Sequence, residues 1–347
     1  MGFGHVMQKD TIAIYFIRAA VARLAPHARA RVLQDAAIPA ELLALAQARV
    51  PAENFAALWI AVARELDDEF FGLDSRRMKV GSFALLCHAL LDGATLESAV
   101  KAICRGFALF LDDVQLRLMV QDKQAAIVIA NQMTSPSDRL FADETLLVMV
   151  HGLMCWLSGK RIALSLAEFA APRPAHASEY TLMFSQRLGF DAPSSAIHFD
   201  ARLLQSRVVQ DGTSVRTFLR DAPQSVFLKY RNTDSWTARL RRRLRGCIGG
   251  HDWPLLEQLA SELRMTPTTL RRRLEAEGTS YQKLKDDLRR DAAVHYLCTT
   301  QKSVTEVGSL LCFQDTSAFR RAFRNWTGVQ PSHYRIVGAG TPAPHSR

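Results

Sequence analysis

Two short segments near the end of the chain carry side chains that can contact nucleic acid. Arginine donates paired hydrogen bonds to guanine O6 and N7 or single ones to phosphate, and threonine and serine also reach bases and phosphates. In each segment such residues recur at helical spacing. The pattern predicts DNA contacts from Thr268, Thr269, Arg271, Arg272, Thr316, Ser317, Arg320, Arg321 and Arg324.

The predicted contacts differ in what they can read. The residues best suited to base edges are Thr268, Arg271, Thr316, Ser317 and Arg320. A single exposed arginine is often only solvated, but the whole duplicated set favours DNA contact. For an arginine-rich helix just upstream, phosphate contact and simple solvation are about equally supported; its arginines are Arg239, Arg241, Arg242, Arg243 and Arg245.

The elements that position the first set form a predicted helix-turn-helix. A short helix has the inner face Leu255, Leu256, Leu259 and Leu263, with the small residue Ala260 where another helix approaches. Thr266 is a good N-cap for a second helix, and Pro267 suits its first position because the missing N–H is not needed there. That helix buries Leu270 and Leu274 and turns its basic face outward.

The same arrangement recurs about 49 residues later. Val304, Val307 and Leu311 line the first helix, and the turn is Cys312, Phe313 and Gln314. Asp315 caps a second helix that buries Phe319 and Phe323, the counterparts of Leu270 and Leu274. A repeat of one supersecondary unit is more specific than either copy alone.

A connecting helix is predicted between the two units, over 281–298. At 1.5 Å per residue it is roughly 27 Å long. Successive major grooves on one face of DNA lie about 34 Å apart. The spacing therefore predicts that two recognition helices enter neighbouring major grooves, with modest bending or tilt absorbing the difference.

The excess positive charge is concentrated in the same region. Of 347 residues, 44 are Lys or Arg and 34 are Asp or Glu, a net charge of +10. From Arg231 onward there are 20 basic and 11 acidic residues, so this third of the chain carries +9. A basic domain beside a nearly neutral one is typical of a nucleic-acid-binding module.

The rest of the chain predicts an α+β domain. Apolar periodicity indicates helices up to about Leu111, one opened by Pro51 with Gly72 closing the segment. Beyond that, alternation predicts strands over 114–120 and 125–130, joined by a short polar turn at 121–124. It also predicts strands over 162–169 and 196–199 and helices over 143–157 and about 179–188. The segment 207–233 is predicted as a linker and 337–347 as a disordered tail.

The C-terminal motifs resemble the AraC/XylS family of transcription regulators. The matching residues are Ser317 to Arg324, followed by Trp326, Gly328, Pro331, Tyr334 and Arg335. The resemblance covers about residues 235 to 335 and implies that Arg272 and Arg321 clamp phosphates. Two positions depart from the pattern. Cys312 stands where the family has glycine, and Gly308 stands where it has alanine, which weakens the helix by roughly 1 kcal/mol.

The N-terminal region resembles the arabinose-binding-like regulatory domain of relatives of the ornithine-utilisation regulator. The matching segments are Phe71-Gly72-Leu73, Gly81, Thr95-Leu96 with Ala99, and Arg173 to His176 followed by Glu179, Tyr180 and Phe184. Together the resemblances imply an α+β regulatory domain at 10–206, a linker at 207–233 and a tail at 337–347. Between linker and tail they imply an all-α DNA-binding domain at 234–336, with two helix-turn-helix units joined by a long helix.

The expected partners follow from this organisation. They are double-stranded DNA, RNA polymerase, an unidentified small-molecule effector and, as an open alternative, a second copy of the chain. His88, Trp156, His176 and Tyr180 are candidates for the effector pocket, but each is better explained as a structural residue. We expect no cofactor and no metal, since His151 and Cys155 form at most half a metal site.

The cysteines and the apolar segments also bear on the cellular location and the chemistry of the protein. Six cysteines without a C-x-x-C pair indicate reduced thiols. No secretory signal is expected, and the longest apolar run, 146–157, is short for a membrane span. A cytoplasmic protein without catalytic residues is therefore predicted.

Two rival functions remain. Repair of alkylated DNA requires an activated acceptor thiolate, but a Pro-Cys-His motif and a cysteine-rich zinc site are absent. An architectural DNA-binding protein does not explain a patterned, nearly neutral N-terminal domain of about 200 residues.

Overall fold

The computed structural model describes residues 11–227, 235–249 and 253–335. The chain divides into two compact units. One, here called the sheet unit, comprises Arg18–Val32 and Ala56–Asn232. The other, here called the helix-turn-helix unit, comprises Met1–Ile17, Leu33–Phe55 and Thr233–Arg347.

Three helices near the start of the chain cross from one unit to the other in sequence. They are α1 (Ile14–Ala20), α2 (Pro26–Asp35) and α3 (Ala52–Leu66). The remaining helices of the sheet unit are α4 (Ser82–Ala89), α5 (Leu96–Phe110), α6 (Pro136–Leu157), α7 (Ser178–Met183), α8 (Gly212–Arg220) and α9 (Gln224–Phe227).

A five-stranded sheet gives the sheet unit its name. Its strands are β3 (Val114–Gln121), β4 (Gln124–Asn131), β5 (Leu164–Glu168), β6 (Leu188–Gly189) and β7 (Ala196–Asp200). The order is β3-β4-β7-β5-β6, with β5 and β6 parallel and the other neighbours antiparallel. The hairpin predicted from alternation is confirmed, because Gln121 pairs with Gln124 across a two-residue turn.

Helix α6 runs through the core of this unit. Ser135 accepts a hydrogen bond from the Asp138 backbone N–H and Pro136 follows at the first helical turn, so the helix begins seven residues before the predicted Asp143. Among the described helices, α6 is long and apolar enough to cross a membrane, but 89% of its most apolar window is buried inside the protein. Such burial is typical of the core helix of a globular domain.

Several predicted boundaries in the sheet unit are wrong. Pro51 belongs to a short strand and α3 begins at Ala52, ending at Leu66 well before Gly72. The helix predicted to Leu188 ends at Met183, because Leu188 is drawn into a parallel pairing with Ala167. Long-range strand pairing thus accounts for Pro51, which pairs with Thr11, and for Leu188, which pairs with Ala167.

The helix-turn-helix unit contains, in its described part, a two-stranded ribbon and seven α-helices besides the portions of α1, α2 and α3 that belong to it. The ribbon is β1 (Thr11–Ala13) paired antiparallel with β2 (Arg49–Pro51). The helices are α10 (Trp236–Arg245), α11 (Leu256–Glu262), α12 (Pro267–Ala276), α13 (Tyr281–Thr299), α14 (Val304–Leu310), α15 (Thr316–Thr327) and α16 (Pro331–Arg335). The predicted fold class is confirmed: an α+β region precedes a helical region with two helix-turn-helix units and a long helix between them.

The segment predicted as a linker contains regular secondary structure. The segment 207–233 includes α8 and α9. The tail 337–347 lies outside the described residues. Contacts place residues 11–17 and 33–55 with the C-terminal helices, although in sequence they precede the sheet.

Candidate nucleic-acid interface

The first helix-turn-helix is formed by α11 and α12. Thr266 caps α12 by accepting a hydrogen bond from the Thr269 backbone N–H at 3.2 Å, and Pro267 follows at the first position. The unit closes on a buried cluster: Leu240, Leu244, Cys247, Leu256, Leu259, Ala260, Leu270, Leu274, Leu284 and Leu288. Burial of Leu270 and Leu274 holds one face of α12 on this core, so its opposite face is directed to solvent.

The second helix-turn-helix is formed by α14 and α15. Ser303 and Glu306 cap α14 reciprocally, and Asp315 caps α15 through the Ala318 backbone N–H at 2.7 Å. Phe319 and Phe323 are fully buried, as predicted from the repeat. These aromatic residues fix the face of α15 as Leu270 and Leu274 fix that of α12.

The turns of the two units share a backbone conformation but differ in length. The residue after each C-cap is left-handed: Arg264 has φ 53° and Cys312 has φ 61°. The capping residue of the recognition helix then follows at Thr266 in the first unit and at Asp315 in the second. The second turn is therefore one residue longer.

Gly308 lies where α14 approaches α15 most closely. A Cβ added to it would lie 3.3 Å from the Cβ of Phe319, which is tighter than an ordinary contact. The corresponding residue in the first unit, Ala260, is fully buried against its own partner helix. The residue that faces this position is Phe319 in the second motif and Leu270 in the first. Because Phe319 is bulkier, glycine fits at position 308 although it lowers the helix propensity of α14.

The outer faces of α12 and α15 carry five exposed arginines. Within the described part of the chain none of them has a hydrogen-bond or ion-pair partner. They are Arg271, Arg272, Arg320, Arg321 and Arg324. An exposed arginine without such a partner retains all five N–H donors for an external acceptor.

The polar residues predicted beside these arginines divide into two groups. Thr268 and Ser317 are exposed. The Thr269 hydroxyl lies 2.9 Å from the Thr266 hydroxyl, and Thr316 donates to the Thr305 hydroxyl at 3.2 Å. Both half-buried threonines therefore already have partners inside their own unit.

Other arginines of this unit are held by partners. Arg273 places its guanidinium carbon 4.1 Å from the centre of the Trp236 ring, and Arg243 donates twice to Glu262 at 2.9 Å. Arg241 is buried and pairs with Asp287 at 3.3 Å. For Arg241, neither phosphate contact nor solvation is the right interpretation, because its charge is used inside the fold.

One arginine of α13 contacts an aromatic ring at each of the two helix-turn-helix motifs. The guanidinium carbon of Arg289 lies 5.0 Å from the centre of the Trp253 ring and 5.2 Å from that of Phe313. Trp253 packs on the first core cluster, and Phe313 lies in the second turn. Burial lowers the pKa of Arg289. No local sequence pattern predicts this contact, because three separate segments meet there.

A buried carboxylate on α13 holds the ribbon to the helices. Asp291 accepts a hydrogen bond from Thr11 at 2.6 Å and pairs with Arg290 at 3.0 Å and Arg49 at 3.6 Å. Burial by itself raises the pKa of Asp291, but these arginines, Arg241 and the Thr11 hydrogen bond outweigh it and lower the pKa to about 2. Asp291 is therefore ionised inside the fold.

The comparisons with known proteins agree with this geometry. The family model of the arabinose-binding domain of AraC transcription regulators matches residues 27–208, and a helix-turn-helix family model matches residues 259–336. The chain belongs to the AraC family. It is thus a transcription regulator with a DNA-binding helix-turn-helix region and an N-terminal ligand-binding domain.

Relatives of this AraC-family chain match along most of its length. The ornithine utilization regulator of Pseudomonas aeruginosa is 31% identical over 260 residues, 75% of this chain and 76% of that protein. An uncharacterised HTH-type transcriptional regulator of Mycobacterium tuberculosis is 27% identical over 284 residues, 80% and 81% of the two chains. The solved structure of CdpR from Pseudomonas aeruginosa is 20% identical, covering 93% and 96%, with a TM-score of 0.32.

Residues considered as effector contacts have structural roles in this AraC-family protein. His176 and Tyr180 both hydrogen-bond to the buried carboxylate of Glu144, and Trp156 stacks on Phe218 with ring centres 4.5 Å apart. His88 is exposed on α4. The side chains of His176, Tyr180 and Trp156 are therefore held within the sheet unit.

The half metal site considered on α6 is a core contact. His151 Nε2 lies 2.9 Å from the carbonyl oxygen of Ile162 and 3.4 Å from Cys155 Sγ. Burial lowers the pKa of His151 to about 4, so the ring is neutral near pH 7. Among the described residues no group of three potential metal ligands is found.

Three thiols of this chain are poorly suited to accepting alkyl groups. Burial raises the pKa of Cys155 and Cys298 to about 12 and that of Cys104 to about 11. A protonated thiol is a weak nucleophile. Thiol transfer chemistry is thus disfavoured at these three positions on physical grounds.

Proposed function

We propose that this AraC-family regulator reads two successive major grooves of its operator, one with α12 and one with α15. A small molecule bound by the sheet unit controls this reading. The proposal assigns base contacts to Thr268, Arg271, Ser317, Arg320 and, less directly, Thr316. It assigns phosphate contacts to Thr269, Arg272, Arg321 and Arg324.

The observation that carries the proposal is the contrast among arginines of one unit. Five arginines on the recognition helices are exposed and lack partners among the described residues. By contrast Arg241, Arg243 and Arg273 are engaged by carboxylates or an aromatic ring. Exposed donors gathered on two equivalent helices are suited to a polyanionic partner.

The length of α13 supports reading by both units at once. Its 19 residues span roughly 28 Å at 1.5 Å per residue. Successive major grooves are separated by about 34 Å. A connecting helix of this length suits contact by both recognition helices on one face of the duplex.

The proposal includes further partners and a location. A DNA-bound regulator changes transcription by helping or hindering RNA polymerase, so polymerase is a partner. A homodimer would supply two such pairs of recognition helices. The protein acts in the cytoplasm, without a catalytic step, and its domains are 10–206 and 234–336.

The test uses the operator found by sequencing DNA that co-purifies with the protein. Arg271→Ala and Arg320→Ala should each weaken binding by about 1–3 kcal/mol and relax specificity at one position, in different halves of the operator. Fluorescence anisotropy with every single-base variant of the operator measures this. Arg117→Ala, which removes an exposed arginine of β3 in the sheet unit, should change nothing.

Two results contradict the proposal. One is undiminished affinity in both recognition-helix variants. The other is a pair of variants that lose specificity in the same half of the operator. Insertion of five base pairs between the halves should reduce affinity to that of a single half, because the second helix then faces the wrong side of the duplex.

A further inference from the structure

The sheet unit contains a cavity of about 290 Å³, partly open to solvent, between α3, α4, α6, α8 and α9. Its volume is near the lower end of the range of small-molecule sites, roughly 300–1,000 Å³. The lining is mostly aliphatic and aromatic and includes two charged residues. The lining residues are Trp59, Ile60, Ala63, Arg64, Glu69, Val80, Phe83, Ala84, Met149, Leu219, Ala222, Pro223 and Val226.

The apolar walls are held in place by the surrounding core. Trp59 packs against Phe71 with ring centres 4.6 Å apart. A Cβ on Gly152 would lie 2.7 Å from the Val226 carbonyl oxygen, so α6 can meet α9 this closely only at a glycine. The α3 side of the cavity is thus held by aromatic packing, and the α9 side is held by the close contact between α6 and α9.

The Glu69 carboxylate is oriented at one side of the cavity by two backbone donors. Its Oε1 accepts from the Gly81 N–H at 2.9 Å, and its Oε2 accepts from the Phe83 N–H at 2.7 Å. Each oxygen keeps one more acceptor position. Burial raises the pKa of Glu69, which the two backbone hydrogen bonds lower and neighbouring Asp68 raises further. No cation is among the causes of this shift.

The cation in the cavity lining, Arg64, forms no ion pair with Glu69 in the described part of the chain. Arg64 lines the cavity but is exposed, and in the described part of the chain it has no ion-pair partner. The adjacent Asp68 is buried, and its Oδ2 has no hydrogen-bond partner among the described residues. An apolar pocket with an oriented, undercompensated carboxylate selects for a cationic group on an apolar body.

We propose that this cavity is the effector site and that it binds a small apolar molecule bearing a primary ammonium, which donates to the Glu69 carboxylate. The apolar body of the molecule lies against Trp59, Phe83 and Met149. The assignment rests on the proposed effector control and names its site and ligand class. An amino acid with an apolar side chain also belongs to this class, and its carboxylate would be received by Arg64.

The position of the cavity in the chain suits a regulatory role. Leu219 and Val226 come from α8 and α9, and Ala222 and Pro223 lie between these two helices, which are the last described elements before α10. Helix α3 begins among residues of that same unit. A ligand that orders these walls acts on the part of the sheet unit that immediately precedes the helix-turn-helix unit in sequence.

The first experiment compares probes of one skeleton on the full chain. 2-Phenylethylamine, 3-phenylpropanoate and phenylalanine are titrated by calorimetry, and their effect on the melting temperature is measured. The amine should bind and raise the melting temperature, since a ligand of the native state stabilises it by mass action. The acid without an amine should bind at least tenfold more weakly. Equal or tighter binding of the acid, or no binding by either amine-bearing probe, overturns the proposal.

The second experiment locates the bound amine. Glu69→Gln should lower amine affinity at least tenfold, and Ala84→Leu should do the same by filling the cavity while leaving the carboxylate intact. Ala108→Leu, on the exposed face of α5, is the matched control and should keep full affinity. Unchanged amine binding in Ala84→Leu contradicts the location even if Glu69→Gln fails to fold.

One further measurement distinguishes amino acids from simple amines as the ligand class. A second one tests the cavity proposal separately from the DNA-reading proposal. Arg64→Gln should weaken phenylalanine but not 2-phenylethylamine if amino acids are the ligand class, and should affect neither if simple amines are. Operator binding is measured in parallel without probe. Intact two-groove reading together with failed amine binding refutes the cavity proposal alone, whereas specific amine binding by a protein that ignores its operator refutes the DNA-reading proposal alone.

Discussion

Cys312 and Arg264 are left-handed residues at equivalent positions of the two turns. A side chain with a Cβ is disfavoured there, whereas glycine adopts this conformation readily. We expect Cys312→Gly to raise the free energy of unfolding by about 1 kcal/mol, measured by urea denaturation. The departure from the family pattern noted at this position therefore has a physical cost.

A matched substitution checks that backbone conformation is the cause. Ser309→Gly places glycine in α14, three residues earlier, and should lower stability by about 1 kcal/mol because glycine is unfavourable in a helix. If Cys312→Gly destabilises the protein as much as Ser309→Gly does, left-handed strain is not the explanation.

Helix α13 connects the two helix-turn-helix motifs, and its Arg289 contacts an aromatic ring at each of them. A cation over an aromatic ring contributes about 0.5–2 kcal/mol, depending on solvent exposure. Arg289→Met should lower stability by about 1–2 kcal/mol. It should also weaken binding to the full operator more than binding to either half, because the orientation of the units is loosened.

Anisotropy titrations with the full operator and with each half measure this coupling. Lys283→Met removes an exposed positive charge from the same helix and should weaken all three DNAs by a similar factor. An Arg289 variant that behaves in the same way as Lys283→Met would mean that Arg289 contributes charge only, without coupling the units.

The buried carboxylate of Asp291 joins the two ends of the molecule's sequence. Thr11 and Arg49 come from the first fifty residues, and they meet Asp291 together with Arg290 and Arg241. Removing one partner of a buried ionic network costs about 3–5 kcal/mol, since the others are left uncompensated. Asp291→Asn should destabilise the chain by this amount at pH 7.

The same network predicts a dependence on pH. The pKa of Asp291 is lowered to about 2 in the folded protein, below its value in the unfolded chain. Its contribution is therefore complete above about pH 4 and is lost as the pH falls toward 2, by about 2 kcal/mol. Urea unfolding at several pH values should show this loss in the parent protein and less of it in Asp291→Asn.

Asp35→Asn is the control for acid unfolding, because Asp35 is an exposed carboxylate of the same unit. It should reproduce the parent pH profile. A parent profile that is flat between pH 4 and 2 contradicts the assigned role of Asp291.

Local signals in the sequence were sufficient for the recognition helices. The caps Thr266 and Asp315, the buried pairs on α12 and α15, and the hairpin at 121–124 were predicted correctly, because each depends on residues within one or two turns of chain. The exposed arginines follow from the same periodicity. Their proposed contacts with DNA remain predictions.

Only the tertiary structure decided which charges are used inside the fold and where a ligand can enter. The Thr11–Asp291 hydrogen bond joins residues 280 positions apart, and the cavity draws its walls from five helices. Arg241 and Arg271 are both arginines on amphipathic helices, yet one is buried against carboxylates and the other is exposed. Periodicity shows which face of a helix is polar, whereas the partner of that face depends on distant segments that meet only in the folded chain.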